Sequence, residues 1–357
     1  MDEREAMSRA LDLAWKGWGR VQPNPLVGAV LLRDGNVVAE GWHAEFGGAH
    51  AEAAALAAAG EAARGATAVV TLEPCTHQGK QPPCTEALIA AGVRRVVAAM
   101  ADPNPVAAGG AARLRAAGVE VEIGLLERAA AAQNAIFLHH LREPARPFVA
   151  LKLATTIDGR IADANGNSRW ISGAEARGFV HWLRAGFDAI GVGGVTARTD
   201  DPSLTVRGPL QPQTSPLRIV FAADGDIPPA LTVVRTARET PTVAIVAPGA
   251  SSSILAPAEA AGVEVIRSAD LLSALRTLRT RGVDSLLVEG GGRLAGALLA
   301  AGLVDRYYWV QSPLWLGMGA VPATAGLPGS ALGEATRWSV SERRALGEDT
   351  LLVLDRI

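Results

Sequence analysis

Three potential metal ligands, His50, Cys75 and Cys84, constrain this chain more than any other feature of its sequence. A fold that uses them together must bring three separate segments to one point. One nitrogen and two sulfurs suit a catalytic zinc, which has three protein ligands and one open position for water. Glu52 lies close enough in sequence to exchange protons with that water. The pattern therefore predicts a zinc site with Glu52 as its catalytic carboxylate.

The segments around this set alternate between strand and helix patterns, which is typical of an α/β domain. Strands are predicted at 26–32, 37–41, 67–72, 95–100 and 119–123, and helices at 3–18, 50–63, 84–91, 111–117 and 125–141. The helix predicted to begin at Cys84 would favour a thiolate there. A polar segment with two prolines, 142–147, marks a domain boundary. We therefore expect one domain at 1–144 and a second at 145–357.

The second domain starts a new α/β series. Strands are predicted at 148–153, 189–192, 217–221, 242–246, 263–266, 285–289 and 306–311, and helices at 175–185, 271–281 and 293–301. The strand at 285–289 runs into Gly290, Gly291 and Gly292 and then into a helix. A strand, a glycine turn and a helix start form a device that binds phosphate, although such turns also serve tight packing alone.

Composition narrows the function classes. The formal charge of −2 and the aromatic content of 4% argue against a nucleic-acid binder. No apolar run approaches the roughly 20 residues of a membrane span. The two cysteines are better used as metal ligands than as a disulfide of a secreted protein, so we expect a cytoplasmic enzyme. The alternative interpretation of His50, Cys75 and Cys84 is that they are core residues without a metal.

Three stretches resemble the deaminase half of the bifunctional riboflavin-biosynthesis deaminase–reductases: PNPLVGAV at 23–30, GWH at 41–43 and EPCTHQGKQPPC at 73–84. Zinc nucleobase deaminases carry H-x-E followed by P-C-x-x-C. Eight residues between the cysteines are instead characteristic of the riboflavin branch. The family most often has Thr where this chain has Gln81.

The resemblance implies a cytidine-deaminase-like domain of three αβα layers. The implied reaction is hydrolytic removal of the 2-amino group of 2,5-diamino-6-ribosylamino-4(3H)-pyrimidinone 5′-phosphate. Asn24, His43 and His77 are candidates for orienting the pyrimidine, or for surrounding the metal ligands.

Segments 152–162, 168–172, 181–185, 191–196 and 200–207 resemble the reductase half of the same family, whose fold is similar to dihydrofolate reductase. This implies that NADPH reduces the ribosyl group to a ribityl chain. The implied NADPH-binding residues are Ala154, Trp170, Thr196, Asp200, Gly291, Gly292, Arg293, Leu294, Ala295, Gly296 and Ala297. The implied substrate-binding residues are Ser168, Arg184, Leu204, Arg207 and Glu289, with Lys152 as a further candidate.

One departure affects the second half. The family usually has an acidic residue and then a small polar one after the strand at 217–221, where this chain has Ala222 and Ala223. This departure leaves open an enzyme with only one active half. Two further alternatives for the whole chain are a zinc deaminase acting on RNA and a non-catalytic nucleotide-sensing module. We expect a small phosphorylated pyrimidine as substrate, no nucleic-acid or membrane partner, and, by family analogy, a homo-oligomer (dimer or tetramer).

Overall fold

The computed structural model describes residues 1–78 and 82–357, so Gln81 lies outside the described residues. The chain divides into two compact units, Met1–Glu143 and Pro144–Ile357. Within the described residues, none of the helices has the length and apolar character needed to span a membrane.

The first unit is built on a mixed sheet with the strand order β2-β1-β3-β4-β5. Its strands are β1 (Gly28–Arg33), β2 (Asn36–Trp42), β3 (Thr67–Val70), β4 (Arg95–Ala98) and β5 (Glu120–Ile123). Its helices are α1 (Glu3–Ala14), α2 (Ala51–Ala59), α3 (Cys84–Ala90), α4 (Gly110–Ala116), α5 (Glu127–Gln133) and α6 (Ala135–Arg142). Strands β3, β4 and β5 run parallel, while β1 pairs antiparallel with both β2 and β3.

Both faces of this sheet are covered, because successive strand side chains point in opposite directions. Val30 and Leu32 pack in a core with residues of α1, α5 and α6. Ala29 and Leu31 pack in a second core with residues of α2, α3 and α4. The predicted three-layer αβα fold is confirmed.

The helix predicted at 125–141 is in fact two helices, α5 and α6, with Asn134 between them. The buried Asn134 side chain accepts a hydrogen bond from the backbone N–H of Leu26 at 2.7 Å and donates one to its carbonyl oxygen at 3.0 Å. Asparagine forms such bonds to backbone groups readily and fits helix interiors poorly. A contact between residues this far apart in sequence leaves no trace in helical periodicity.

The second unit is built on a sheet with the order β11-β10-β9-β8-β12-β6-β13-β16-β15. Its strands are β6 (Phe148–Thr156), β7 (Arg160–Ala162), β8 (Ala189–Gly193), β9 (Leu217–Phe221), β10 (Thr242–Val246), β11 (Glu264–Arg267), β12 (Ser285–Val288), β13 (Arg306–Ser312), β14 (Val321–Pro322), β15 (Trp338–Leu346) and β16 (Asp349–Arg356). Its helices are α7 (Ala174–Arg184), α8 (Gly194–Asp200), α9 (Thr232–Arg235), α10 (Ser252–Ala260), α11 (Leu271–Thr280) and α12 (Gly292–Ala300).

Strands from β11 to β13 run parallel, and β16 and β15 continue the sheet antiparallel. One core packs β6 and its neighbours against α11 and α12, and another packs β8, β9 and β10 against α8, α9 and α10. A parallel sheet covered on both faces explains the continuous apolar strands of the sequence. It also places the carboxyl ends of β6, β8, β9, β10, β11 and β12 along one edge, where ligands bind in such folds.

Candidate active sites

The three candidate zinc ligands lie together in the first unit. His50 immediately precedes α2, and Cys84 is the first residue of α3. Nδ1 of His50 lies 3.3 Å from Sγ of Cys84 and 3.6 Å from Sγ of Cys75. All three ligand atoms lie within 4.8 Å of one another. Tetrahedral ligands at the usual zinc–nitrogen and zinc–sulfur bond lengths are about 3.5 Å apart, so these residues fit the ion.

The titratable groups around these ligands influence one another's pKa values. Glu52, in the first turn of α2, is only 4% exposed, and burial raises the pKa of its carboxyl group. A hydrogen bond from Cys84 lowers the pKa of Cys75 to about 4, and the hydrogen bond with Cys75 raises the pKa of His50. A buried carboxyl group beside the ligands, with a pKa raised by burial, is suited to taking up and returning a proton.

His43 and Asn24 lie next to these ligands. Nδ1 of His43 is 2.9 Å from the carbonyl oxygen of Ala49, and its Nε2 is 3.1 Å from Nδ2 of Asn24. Because a carbonyl oxygen only accepts, Nδ1 carries the proton and Nε2 accepts from the Asn24 amide, which leaves the Asn24 oxygen as an acceptor for a ligand. Burial lowers the pKa of His43, and its ring contacts that of His50 edge-on at 5.6 Å between centroids.

His77 follows Cys75 by two residues and is half-buried. Within residues 1–78 and 82–357, its Nδ1 atom has no hydrogen-bond partner although it is buried. A buried polar atom in that state is available to a ligand. The roles of Asn24, His43 and His77 toward a substrate stay predictions.

A cavity of about 1790 Å³ lies in the second unit, at the carboxyl ends of the parallel strands. Among its lining residues are the predicted substrate residues Ser168, Arg184, Leu204, Arg207 and Glu289, together with Lys152. The same lining includes Ala154, Trp170, Thr196, Asp200, Gly291, Gly292, Arg293, Leu294 and Ala297 of the predicted cofactor set. Residues from distant parts of the sequence thus meet around one space.

Two residues of the predicted cofactor set lie in packing contacts instead. Ala295 is fully buried in the core. A Cβ atom on Gly296 would lie 2.4 Å from the carbonyl oxygen of Ala325, so this glycine allows the segment around 325 to approach α12. Gly292 is similar, because its Cβ would lie 2.5 Å from the carbonyl oxygen of Pro322.

The glycine turn before α12 fits a phosphate-bearing cofactor. Gly290 and Gly291 take φ values of +127° and +91°, a region that side chains strongly disfavour. A Cβ on Gly291 would lie 3.1 Å from Oγ1 of Thr196. Gly290, Gly291 and Gly292 line the cavity at the start of α12, and a helix start of this kind attracts a pyrophosphate.

A buried ion pair crosses the cavity wall. Nε and Nη2 of Arg184 donate to the two carboxylate oxygens of Glu289 at 2.5 and 2.7 Å, and Nη1 donates to the carbonyl oxygen of Thr205 at 2.7 Å. The two side chains are 10% and 8% exposed. Burial alone would raise the pKa of Glu289, but the charge and hydrogen bonds of Arg184 lower it below its usual range. Burial also lowers the pKa of Lys152, against the opposing effect of Glu289.

The loop at 168–170 is joined to the end of α8. Oγ of Ser168 donates to a carboxylate oxygen of Asp200 at 3.1 Å, and the Arg169 guanidinium donates to the Asp200 carbonyl oxygen. Trp170 is 68% exposed, and the Arg177 guanidinium lies 4.6 Å from the centroid of its ring. Asp200 therefore has a structural partner as well as a place on the cavity wall.

Two acidic residues with structural partners were not predicted from the sequence: Asp201, which lines the cavity, and Asp349, which lies outside its lining. The Asp201 carboxylate accepts from the backbone N–H and the hydroxyl of Thr232 at 2.6 and 2.8 Å. Asp349 is buried and accepts from the backbone N–H of Gly173 at 2.7 Å. Burial lowers the pKa of Lys152, and the charge of Asp349 opposes that effect only in part. No local sequence motif predicts either of these two contacts. The position of Asp201 directly before a proline was the one visible sign that this aspartate has a structural role.

Ala222 stands where the family usually has an acidic residue, and it packs against its neighbours in the core. Ala222 is buried, and a Cβ on Gly194 would lie 2.9 Å from the Ala222 Cβ. Ala222 and Ala223 both line the cavity. The departure at these two positions therefore gives that part of the wall an apolar surface.

Family models match both units. Residues 1–100 match the cytidine and deoxycytidylate deaminase zinc-binding region, and residues 147–352 match the RibD C-terminal domain. Riboflavin biosynthesis protein RibD of Escherichia coli (strain K12) is 41% identical, with 99% of both chains covered. The protein of the same name from Mycobacterium tuberculosis (strain H37Rv) is 42% identical, with 98% of this chain and 96% of the relative covered.

Solved structures give the same result. A diaminohydroxyphosphoribosylaminopyrimidine deaminase/5-amino-6-(5-phosphoribosylamino)uracil reductase from Thermotoga maritima superposes with a TM-score of 0.82 at 35% identity, covering 99% of both chains. RibD of Acinetobacter baumannii superposes with a TM-score of 0.80 at 35% identity, again covering 99% of both chains. The similarity extends over both units in both cases.

Proposed function

The chain belongs to the RibD family of riboflavin biosynthesis proteins, and from this premise we propose the substrates of its two sites and the residues that act at each. It is a bifunctional enzyme, a deaminase and a reductase, and it uses zinc and NADPH. We assign it the two substrates named for the Thermotoga maritima relative. The observation that carries the proposal is the convergence of the His50, Cys75 and Cys84 ligand atoms beside the buried Glu52.

In the first site, His50, Cys75 and Cys84 would hold the zinc ion. When bound there, zinc supplies a water that ionises near neutral pH. The buried Glu52 carboxylate takes a proton from the reacting water and delivers it to the pyrimidine ring nitrogen. It then takes the remaining proton from the hydroxyl added to the ring carbon and delivers it to the amino group, which leaves as ammonia while the carbonyl forms. The Asn24 oxygen, fixed by the hydrogen bond to His43, accepts from an N–H of the pyrimidine.

In the second site, bound NADPH supplies a hydride for the anomeric carbon of the opened ribosylamine. The glycine turn at Gly290 and Gly291 would hold the cofactor phosphates. Glu289, fixed by Arg184, accepts hydrogen bonds from the sugar hydroxyls, and the half-buried Lys152 donates a proton to the oxygen released on ring opening. Such a reduction depends chiefly on holding the two reacting carbons in position.

Residues 1–144 carry the deaminase in this proposal and residues 145–357 carry the reductase. We place the enzyme in the cytoplasm. This is supported by Cys75 and Cys84, which form no disulfide and lie beside His50 as a possible metal-binding group. We also propose a homo-oligomer, dimer or tetramer. Exposed apolar side chains of the second unit, such as Trp315 at 71% and Met318 at 94%, support a self-association surface.

Zinc removal tests the assignment of the first site. The metal-replete protein is expected to contain one zinc per chain. Dialysis against a chelator should abolish ammonia release from the diamino substrate, while NADPH oxidation with the deaminated intermediate continues, because the second cavity contains no zinc ligand of this set. Zinc added back should restore ammonia release. A replete protein without zinc would contradict the assignment.

Arg207 is expected to bind the substrate phosphate. Arg184 is largely occupied by Glu289 and Thr205, whereas Arg207 is exposed and lines the same cavity. The substitution Arg207→Leu should raise the KM for the phosphorylated intermediate about 10- to 100-fold, as expected for loss of a charged hydrogen bond. The KM for the phosphate-free analogue should not change. Arg343→Leu, on the exposed face of β15, is the control and should alter neither KM.

A further inference from the structure

The glutamate that precedes Cys75 by two residues has no place in the chemistry above, yet it is buried. Glu73 is 7% exposed, and its two carboxylate oxygens accept from the backbone N–H groups of Ala111 at 2.7 Å and Asp102 at 3.0 Å. A carboxylate with both oxygens engaged by backbone donors is an unsuitable fourth metal ligand. Its contacts instead join the segment that carries Cys75 to the segment 102–111.

Thr76 makes the same connection on the other side of Cys75. Its hydroxyl donates to the carbonyl oxygen of Ala108 at 3.0 Å, and its backbone N–H donates to the carbonyl oxygen of Ala107 at 3.3 Å. Ala107 is buried in one cluster with Cys75 and Cys84. The segment 102–111 therefore contacts the sulfur ligands themselves as well as their neighbours in sequence.

Gly110 allows the two segments to come this close. A Cβ atom at this position would lie 1.9 Å from the carbonyl oxygen of Pro74, which no side chain could occupy. On its other side, Cys75 accepts from Thr85: the Thr85 hydroxyl donates to the Cys75 carbonyl oxygen at 3.1 Å, and the Thr85 N–H donates to the same oxygen at 3.2 Å. Cys75 is thus held between α3 and the segment 102–111.

We propose that the segment 102–111, tied to Glu73 and Thr76, is a positioning device that sets the place of Cys75 relative to His50 and Cys84. The proposal rests on the zinc site proposed above and extends it to residues that are not themselves metal ligands. Partners that orient metal ligands without binding the ion control its affinity, and their loss commonly weakens binding about 10- to 100-fold. Glu73 is the critical residue because only an acceptor can satisfy two N–H donors at once.

The test is a cobalt titration of the metal-free full chain in competition with a chelator. Glu73→Gln keeps the size of the side chain but replaces one acceptor oxygen with an NH2 donor that faces a backbone N–H donor, so cobalt affinity should fall about 10- to 100-fold. The absorption of the cobalt–thiolate complex should also shift, because the two sulfurs are displaced. Thr76→Val, which removes one hydrogen bond at constant volume, should weaken cobalt binding to a smaller extent.

Asn134→Asp is the matched control. It places a carboxylate oxygen opposite the carbonyl oxygen of Leu26, so two acceptors face each other. Leu26 belongs to the same unit but lies outside the segments 73–76 and 102–111. It should lower thermal stability without changing cobalt affinity or absorption. If Glu73→Gln loses stability but binds cobalt like the unmodified protein, Glu73 only supports the fold and the proposal is wrong. If Glu73→Gln does not fold, unchanged cobalt binding by Thr76→Val overturns it. An unmodified chain that binds no cobalt would refute the zinc site first.

Discussion

Substitution of Glu52 by glutamine is expected to lower the rate of ammonia release by about 10²- to 10⁴-fold, the usual contribution of a positioned proton-transfer group. The amide has the size of the carboxyl group but cannot take up a proton. Zinc content should stay at one per chain, because Glu52 is not among the three clustered ligands. NADPH oxidation with the deaminated intermediate should be unchanged, because none of the residues assigned to the reductase lies in the first unit.

Glu86→Gln is the control for this experiment. Glu86 also lies in the first turn of a helix at the site, α3, but it is exposed and pairs with Arg113. Ammonia release should be unaffected by its substitution. A Glu52→Gln variant that keeps its zinc and releases ammonia at the unmodified rate would remove Glu52 from its assigned role.

Substitution of Glu289 by glutamine is expected to have the largest effect on the second reaction. The change removes the charge that faces Arg184 and Lys152, and it leaves a buried guanidinium without its counter-charge, at a cost of about 3–5 kcal/mol in the free energy of unfolding. We expect NADPH oxidation to fall by about 100-fold or more, since the group that holds the sugar hydroxyls is both altered and displaced. Ammonia release should be unchanged. The measurement is NADPH oxidation with the deaminated intermediate, alongside chemical denaturation.

The control is Asp305→Asn. Asp305 accepts from two nitrogens of Arg146 at 2.7 Å each, so it forms the same kind of bidentate pair, but outside the cavity lining. This variant should lose stability and keep the reductase rate. Equal loss of NADPH oxidation in both variants would show that Glu289 acts only through stability.

The pH dependence of the Glu289 effect has a definite sign. The folded-state pKa of Glu289 is lowered, so the ion pair contributes its full stabilisation above the unfolded-state pKa, about 4.3. That contribution is lost as the pH falls through the folded-state value. The stability difference between the unmodified protein and Glu289→Gln should therefore be largest at neutral pH and shrink below about pH 4.

The grouping of the three candidate zinc ligands was predictable because metal chemistry depends on residue types. Cysteine and histidine are rare in this chain, and the spacing of His50, Glu52, Cys75 and Cys84 is distinctive enough to predict a metal site before any fold is known. The support for Cys75 was not predictable, since the bonds of Glu73 run to backbone N–H groups, which every residue except proline carries. The Arg184–Glu289 pair joins residues 105 positions apart, and no periodicity marks such a partner.

The same distinction holds for the fold. Buried parallel strands such as β12 and amphipathic helices such as α11 have patterns that are visible locally, and both were predicted nearly at their observed bounds. The hairpin of β15 and β16 was missed. Most of β15 is exposed, so its apolar and polar residues alternate only weakly. The strand is determined instead by its pairing with β16, which in turn pairs with β13. Helix α10 was missed because Pro257 lies inside it.

We propose that two separate sites of this protein act in sequence, deamination before reduction. The most direct measurement follows ammonia and NADPH together from the diamino substrate, with Glu52→Gln alone, with Glu289→Gln alone, and with the two variants mixed. Glu52→Gln alone should release no ammonia and oxidise no NADPH, and Glu289→Gln alone should release ammonia only. The mixture should oxidise one NADPH for each ammonia released. NADPH oxidation by Glu52→Gln alone, or a mixture that releases ammonia without oxidising NADPH, would contradict two separate sites that act in this order.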